Sequence, residues 1–352
     1  MKYPALLPFA DILPQLGRFD ALIDVRSPSE FAEDHIPGAI NCPVLDDEER
    51  IRVGTLYKQV NAFEAKKVGA AIVARNIGKH IDAQFIDKPR DWKPLIYCWR
   101  GGNRSGAMAH VFARIGWPAI QLDGGYREYR RHVNSALMEL PVRFSYRVVC
   151  GPTGSGKSRL LQTMAAQGAQ VLDLELLAAH RGSVLGNLPS ESQPSQKMFE
   201  SSIWQTLRHF DTLKDVFVES ESKKVGNLRI PEGLIECMRS SRCIALKLSQ
   251  HERVELLMQD YAHFVAEPAL LNTQLDCLVP MHGREKIGLW QAMALSGQIR
   301  TLVGELLSHH YDPAYLRSID RNFSQFSQAQ IEELKDISAP SFEAAARHLH
   351  AA

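Results

Sequence analysis

An eight-residue segment in the middle of the chain constrains the fold more than any other feature. Gly151 to Ser158 reads GPTGSGKS, which satisfies the pattern G-x-x-x-x-G-K-[ST]. It follows the apolar run YRVVC, typical of a buried strand, and precedes RLLQTM, which has helical spacing. A strand, a glycine-rich turn and a helix in this order predict a phosphate-binding loop within an α/β layer.

The residues of this loop have separate expected roles. Its glycines let backbone N–H groups wrap a diphosphate, Lys157 contacts the terminal oxygens, and the Ser158 hydroxyl ligates Mg²⁺. The sequence contains no base-recognition motif such as NKxD, so a nucleotide and a base-free diphosphate both remain open. We expect no structural metal site. The predicted phosphate-binding residues are Gly151, Gly154, Ser155, Gly156, Lys157 and Ser158.

A charged segment follows the strand predicted at DVFVE, residues 215–219. Ligands of α/β sheets bind at the carboxyl ends of the strands, so its charged residues are candidates for a second part of the phosphate site. A solvated charged turn is an equally good interpretation. The candidates are Glu219, Glu221, Lys223 and Lys224.

A second glycine-rich loop begins at Cys98, after the apolar run LIY and before a segment with helical spacing, SGAMAHVFARIG. Backbone N–H groups and a helix N-terminus at such a place stabilise a thiolate. The glycines permit a tight curl, and Arg100 and Arg104 add positive charge that favours the thiolate and an anionic donor. We predict Cys98 as the catalytic nucleophile, against the alternative of a small buried residue. The rest of the loop consists of Trp99, Arg100, Gly101, Gly102, Asn103 and Arg104.

The length and the apolar content are sufficient for two domains. With 352 residues and 45% hydrophobic content, the chain can bury two cores. Strands predicted at ALIDV (21–25), LIY and AIQL alternate with helices, and the pattern restarts at YRVVC. Such alternation predicts parallel sheets. We therefore predict an α/β domain over residues 1–140 and a phosphate-loop α/β domain over residues 141–352, mostly helical after His251.

Other elements are predicted less directly. Residues 57–87 have the composition of a helical insertion, and further strands are expected at VLDLE (171–175) and CIALKL (243–248). The segment from Tyr126 to His132 holds three arginines and two tyrosines. It is either an RNA contact or one exposed helix face.

The overall charge neither demands nor excludes a nucleic-acid partner. The chain has 41 basic and 40 acidic side chains, so binding of a polyanion must depend on local clusters of basic side chains. Prolines interrupt the apolar N-terminal stretch before a signal peptide could form, and no run reaches membrane-spanning length. The six cysteines include no CxxC pair, which argues against a disulfide framework and a zinc site. We expect a cytoplasmic protein in which the five cysteines other than Cys98 lie in cores.

The N-terminal half resembles the rhodanese family. LIDVRSPSEFAEDHIPGAINCP, residues 22–43, is similar to the upstream signature of that family, and Cys98 falls where the family has its catalytic cysteine. Five residues separate Cys98 from Arg104, one more than in most sulfurtransferases of the family. This spacing is similar to that of the rhodanese-related phosphatases, whose larger loop fits a tetrahedral phosphate. It argues against simple thiosulfate chemistry.

Nearly the whole chain resembles the tRNA 2-selenouridine synthase family. The segments that carry the resemblance are, in order, YCWRGGNRS, GPTGSGKS, HRGSVLG, QPSQKMFE, VESESKKVGNLRIP and HYDPAYLRS. The resemblance implies a transferase that acts on the wobble uridine, U34, of tRNAs for lysine, glutamate and glutamine. It implies two steps, transfer of a geranyl group from geranyl diphosphate to 2-thiouridine, then replacement of the geranylated sulfur by selenium from selenophosphate.

The two loops divide between these implied steps. We assign the diphosphate to the phosphate loop and selenium delivery to the Cys98 loop, where a selenosulfide on Cys98 is one way to carry the selenium. No tightly bound cofactor is expected, and a monomer is the simplest expectation for the oligomeric state. Two rivals stay open, a sulfurtransferase coupled to a nucleotide-hydrolysing domain and a non-enzymatic tRNA-binding module.

Overall fold

The computed structural model describes residues 3–183, 185–188 and 191–351. The chain separates into two compact units. The first consists of Met1–Ala136 with Glu200–Ser202, and the second of Leu137–Phe199 with Ile203–Ala352. Both units carry a five-stranded parallel sheet with helices, so the predicted α/β class is confirmed.

The N-terminal part of the chain alternates short strands and helices. Its strands are β1 (Ala5–Leu7), β2 (Ala21–Asp24), β3 (Ala39–Asn41), β4 (Pro94–Tyr97) and β5 (Ile120–Leu122). Its helices are α1 (Phe9–Ile12), α2 (Pro28–Glu33), α3 (Asp47–Gln59), α4 (Ala62–His80), α5 (Asn103–Ile115) and α6 (Gly125–Glu139).

The first sheet has the strand order β1-β5-β4-β2-β3, and all of its pairs are parallel. The central strand β4 is buried throughout, as its apolar run predicts. Ile23, Ile96 and Phe112 belong to the core of this unit. The strand β1 was not predicted, because it has only three residues and two of them are exposed.

The predicted helical insertion is present but begins earlier than residue 57. The helix α3 begins at Asp47 because Asp46 caps it, and the Asp46 carboxylate accepts from the Glu49 backbone N–H at 2.7 Å. The Glu49 carboxylate accepts from the Asp46 N–H at 3.1 Å, which completes a capping box.

The second unit contains the remaining elements. Its strands are β6 (Tyr146–Cys150), β7 (Gln170–Leu172), β8 (Val216–Glu219), β9 (Lys224–Val225), β10 (Leu228–Arg229), β11 (Arg242–Lys247) and β12 (Gln330–Glu333). The helices up to the last strand of the C-terminal part are α7 (Lys157–Ala166), α8 (Leu174–Leu177), α9 (Gln196–Leu207), α10 (Glu232–Ser240), α11 (Gln250–Asp260), α12 (Ala262–Ala266), α13 (Pro268–Leu275), α14 (Val279–His282), α15 (Arg284–Leu295), α16 (Ile299–Leu306) and α17 (Asp312–Asn322). The chain continues to α18 (Ala339–Ala351).

The second sheet has the order β12-β11-β6-β8-β7 and is also parallel, whereas β9 and β10 form a separate antiparallel pair. One strand prediction for this unit is wrong, and one strand was not predicted. The strand expected over residues 171–175 ends at Leu172, because Asp173 caps α8 and its carboxylate accepts from the Leu176 N–H at 2.8 Å. The mostly helical C-terminal part also contributes β12, whose sequence QIEE lacks the apolar run that would predict a strand.

The cysteines do not all lie in cores. Cys42, Cys150 and Cys243 are buried as expected, but Cys237 is half-buried and Cys277 is exposed. The expectation is wrong for Cys277 because a short 3₁₀ turn between α13 and α14 directs this residue to solvent. Among the described residues, none of the helices combines the length and the apolarity needed to span a bilayer.

Candidate active site

The Cys98 loop lies between a buried strand and the N-terminus of a long helix. Cys98 directly follows β4 and is 4% exposed, and α5 begins five residues later. The Ser105 hydroxyl on α5 donates to Cys98 Sγ at 3.2 Å, and Gln121 Nε2 donates to Ser105 Oγ at 3.0 Å. A hydrogen-bond donor and the N-terminus of α5 therefore both lie at this sulfur. Sequence reasoning missed Ser105 and Gln121.

Two glycines allow this loop to pack against the turn after β5. Gly101 has φ +65°, and a Cβ there would lie 2.4 Å from the Leu122 carbonyl oxygen. Gly125 has φ +58°, and a Cβ there would lie 2.2 Å from the Cys98 carbonyl oxygen. Any other residue at these two positions would bring a Cβ into such a clash, so the loop shape requires both glycines.

The positive charge around Cys98 is smaller than the sequence suggests. Arg100 is exposed, whereas Arg104 Nη1 lies 2.7 Å from Glu30 Oε2. Burial alone would raise the pKa of Glu30, but Arg104, the Ser27 N–H and the charge of Arg50 together outweigh it, so the pKa of Glu30 is lowered. Arg104 thus shares its charge with a carboxylate and does not act on the sulfur alone. Trp99 is half-buried, and Gly102 and Asn103 are exposed at the start of α5.

The segment from Tyr126 to His132 is not the exposed face that was considered. Tyr126 and Tyr129 are buried, so the interpretation of these rings as base contacts is wrong. The Tyr126 hydroxyl donates to Asp34 Oδ2 at 2.8 Å, and the guanidinium of buried Arg26 lies 3.9 Å from the centre of the Tyr126 ring. Only the arginines at 127 and 131 in this segment are exposed.

Cys42 is the other buried cysteine of this unit. Cys42 is fully buried, and burial together with the charge of Asp24 raises the pKa of its thiol to about 12. Cys42 therefore remains protonated at neutral pH and is a core residue, as the sequence predicts.

The phosphate loop connects β6 to α7, as predicted. Lys157 Nζ donates to the Gly151 carbonyl oxygen at 2.8 Å, which folds the ammonium group back over the loop. Gly154 and Gly156 have φ +76° and +87°, so the curl of the loop requires them. Ser155 is 1% exposed and Ser158 begins the helix with Lys157.

An arginine that was not predicted holds the loop from outside. Arg253 of α11 donates to the Thr153 carbonyl oxygen at 2.7 Å and to Asp312 Oδ1 at 2.6 Å. The arginine is 6% exposed, so it fixes α11 firmly against the loop.

Three glutamates meet beside the loop. Glu219 ends β8, opposite Val149 of β6, and Glu221 and Glu175 follow the carboxyl ends of β8 and β7. One carboxylate oxygen from each of the three lies within 4.8 Å of the others. Ser158 Oγ donates to Glu175 Oε2 at 2.8 Å.

The structure divides the candidate second motif. Its glutamates lie at the loop, but Lys223 and Lys224 are exposed on the turn and strand that follow, and Lys223 pairs with Glu232 at 3.3 Å. The lysines are therefore placed away from the carboxylate cluster, which corrects their grouping with it. Glu175 was missed because residues 171–175 were read as one strand, although an acidic residue just after a strand next to the loop is a usable signal.

Burial dominates the electrostatics of this cluster. It raises the pKa of Glu175 and Glu219, and with the neighbouring Glu175 it raises the pKa of Glu221 to about 8. The Glu219 Oε2 atom is buried and has no hydrogen-bond partner among the described residues. Hard divalent cations such as Mg²⁺ prefer oxygen ligands, so Ser158 and these carboxylates fit such an ion.

The raised pKa of Glu221 predicts a pH-dependent stability. Between about pH 4.5 and about pH 8 the folded protein retains a proton that the unfolded chain has lost, so the free energy of unfolding falls as the pH rises through this window. We expect the decrease in the free energy of unfolding across this window to be smaller by about 1–3 kcal/mol in Glu221→Gln than in the wild type. Denaturant unfolding at both ends of the window measures it. The exposed Glu285→Gln serves as control, and an unchanged slope in Glu221→Gln would show that this carboxylate is ionised in the folded state.

The fold and the two loops define a class of protein, a rhodanese domain joined to a phosphate-loop domain. The rhodanese-like domain family matches residues 10–132. A second family, described as the tRNA 2-selenouridine synthase AAA domain, matches residues 144–274.

Individual relatives support a narrower assignment. A tRNA 2-selenouridine synthase of Sulfurovum sp. is 34% identical over 337 residues, covering 86% of this chain and 90% of the relative. One of Aeromonas salmonicida is 31% identical, with coverages of 84% and 86%. One of Nitrosomonas europaea is 36% identical over 68% of this chain, and the match spans 63% of that relative's length. This chain belongs to the tRNA 2-selenouridine synthase family.

Proposed function

We propose that this protein is a tRNA-modifying transferase that converts 2-thiouridine to 2-selenouridine at the wobble position of tRNAs for lysine, glutamate and glutamine. The observation that carries the proposal is the presence in one chain of two built sites, a cysteine loop at a helix N-terminus and a phosphate loop bordered by carboxylates. The relatives named for 2-selenouridine synthesis match across both domains, which supports the same reaction.

The first proposed step is geranyl transfer. The sulfur of 2-thiouridine attacks the allylic carbon of geranyl diphosphate, a C–S bond forms, the C–O bond breaks, and diphosphate leaves. The loop N–H groups and Lys157 oppose the charge that develops on the leaving oxygens. A Mg²⁺ ion held by Ser158 and the glutamates would supply further positive charge to the diphosphate.

The second proposed step replaces sulfur with selenium. Alkylation converts the 2-thio group into a neutral-thiol leaving group, so C2 of the pyrimidine becomes open to a selenium nucleophile. The Cys98 thiolate attacks the phosphorus of selenophosphate, so a P–S bond forms, the P–Se bond breaks and selenide is released. The selenide attacks C2, the C–Se bond forms as the C–S bond breaks, and geranylthiol departs. Water then releases phosphate from Cys98. The Cys98 loop supports this step because its thiol lies at the N-terminus of α5, beside the Ser105 hydroxyl, where a nucleophile can meet an anionic donor.

Analysis of nucleosides from cells tests the proposal directly. We expect tRNA from cells that lack this protein to contain 2-thiouridine and no 2-selenouridine, and a plasmid copy of the gene to restore the selenated nucleoside, measured by mass spectrometry of digested tRNA. Unchanged 2-selenouridine in the deletion strain would contradict the proposal. Cyanide sulfuration with nucleotide turnover by the purified protein would instead favour the sulfurtransferase rival, and tRNA binding without any conversion would favour the binding module.

A further inference from the structure

An apolar cleft opens directly beside the phosphate loop. Its empty space, including the part that is open to solvent, is about 530 Å³, and most of its lining side chains are apolar. Thr153 of the loop forms one edge of it, and the helices of the C-terminal part form the walls. Wall residues include Leu257, Phe264, Leu271, Val303 and Leu306.

One helix joins the cleft to the loop. Arg253 and Leu257 are one turn apart on α11, and Arg253 binds the Thr153 carbonyl while Leu257 lines the cleft. A Cβ at Gly154 would lie 2.9 Å from Leu257, so the loop backbone and the cleft wall are in direct contact. A ligand whose phosphates occupy the loop can therefore extend along this wall.

The chemistry of the walls selects an apolar group. Of the described residues that line the cleft, the polar ones are Thr153, Ser183, Tyr261 and Tyr311, and the rest are apolar. The Ser183 side chain interacts with the hydroxyl groups of both Tyr261 and Tyr311, so these three polar groups lie close to one another. A nucleoside would lose hydrogen bonds to water here without regaining them, whereas a hydrocarbon chain would lose none.

We infer that this cleft binds the hydrocarbon chain of an acyclic prenyl diphosphate whose diphosphate lies in the phosphate loop. The inference deepens the proposed function and rests on it for the choice of an allylic diphosphate as ligand. Half-buried residues such as Met258 and Val303 face the empty space and contact the chain, while buried residues behind them form the floor. Burial of the chain accounts for a preference over inorganic diphosphate.

Calorimetric titration of the full-length protein, without RNA, tests the inference. We expect geranyl diphosphate to bind at least about 100-fold more tightly than inorganic diphosphate, since each buried CH₂ group favours binding. Val303→Trp fills the cleft and should reduce this preference to within about 5-fold while leaving the affinity for inorganic diphosphate unchanged. Met258→Gln, which keeps the volume but adds an amide, should weaken geranyl diphosphate about 10-fold and covers the case in which the tryptophan variant does not fold. Leu289→Trp, at a 61% exposed position outside the cleft, is the matched control.

The outcomes separate the cleft from the reaction. Equal affinities of the wild type for geranyl diphosphate and inorganic diphosphate would overturn the inference even if geranyl transfer occurs. A preference that survives in both folded cleft variants would also overturn it, as would ADP or GDP binding as tightly as geranyl diphosphate. A preference that both variants remove supports the cleft assignment, and a lack of geranyl transfer in that case would count against the proposed function only.

Discussion

Cys98→Ser is expected to stop selenation and to leave geranylation intact. Geranyl transfer needs an incoming RNA sulfur and a departing diphosphate, and neither requires a protein thiolate, whereas selenium delivery uses one. Serine preserves the loop shape, including the contact to the Ser105 hydroxyl that lies 3.2 Å from Sγ in the wild type, but its hydroxyl stays protonated at neutral pH. With both donors supplied, we expect S-geranyl-2-thiouridine to accumulate and the rate of 2-selenouridine formation to fall about 10³-fold or more, measured by nucleoside mass spectrometry.

The exposed Cys277→Ser variant is the matched control, because it removes a thiol from the other unit without touching the loop. It should behave as the wild type in both steps. Normal selenation by Cys98→Ser would mean that Cys98 is structural. Loss of geranylation along with selenation, in a folded variant, would mean that the two loops serve one shared reaction centre.

Lys157→Ala should have the opposite effect on the two steps. The ammonium group lies over the phosphate loop, 2.8 Å from the Gly151 carbonyl oxygen, and its loss leaves the departing diphosphate without its main charge partner from a side chain. We expect geranyl transfer to fall by about 10²–10³-fold. The same variant should convert RNA that already carries S-geranyl-2-thiouridine at close to the wild-type rate, since that step releases no diphosphate.

Lys214→Ala, at an exposed lysine of the same unit, controls for a general change in charge. Geranylation at the wild-type rate by Lys157→Ala would show that the loop does not bind the prenyl donor. A loss of both conversions in the folded variant would place selenium delivery at the phosphate loop as well.

Sequence reasoning located the two loops because each is a continuous segment with a local signature. Cys98 and the Gly151 to Ser158 segment both lie between a strand and a helix, as predicted. Their proposed catalytic roles stay predictions. Short strands were the elements most easily missed, because β1 and β12 have too few buried apolar residues to produce a pattern.

The residues that surround each loop come from distant segments of the chain, so local sequence patterns could not predict them. Arg104 looked like a free positive charge until the structure placed Glu30, 74 residues away, against it. Arg253 contacts a loop carbonyl 100 residues away. A hydrophobic period records which face of an element is buried and says nothing about which partner covers it.

The sequence by itself determined the α/β class, the two glycine-rich loops and the resemblance to one family, because strand–turn–helix patterns and motif spacings are local. Only the tertiary structure decided that Glu175 joins Glu219 and Glu221, that Lys223 and Lys224 lie elsewhere, and that an apolar cleft opens at Thr153. The physical reason is the parallel order β6-β8-β7, which brings the carboxyl ends of strands far apart in sequence to one edge of the sheet. That order results from the packing of whole elements, so no single segment of the sequence determines it.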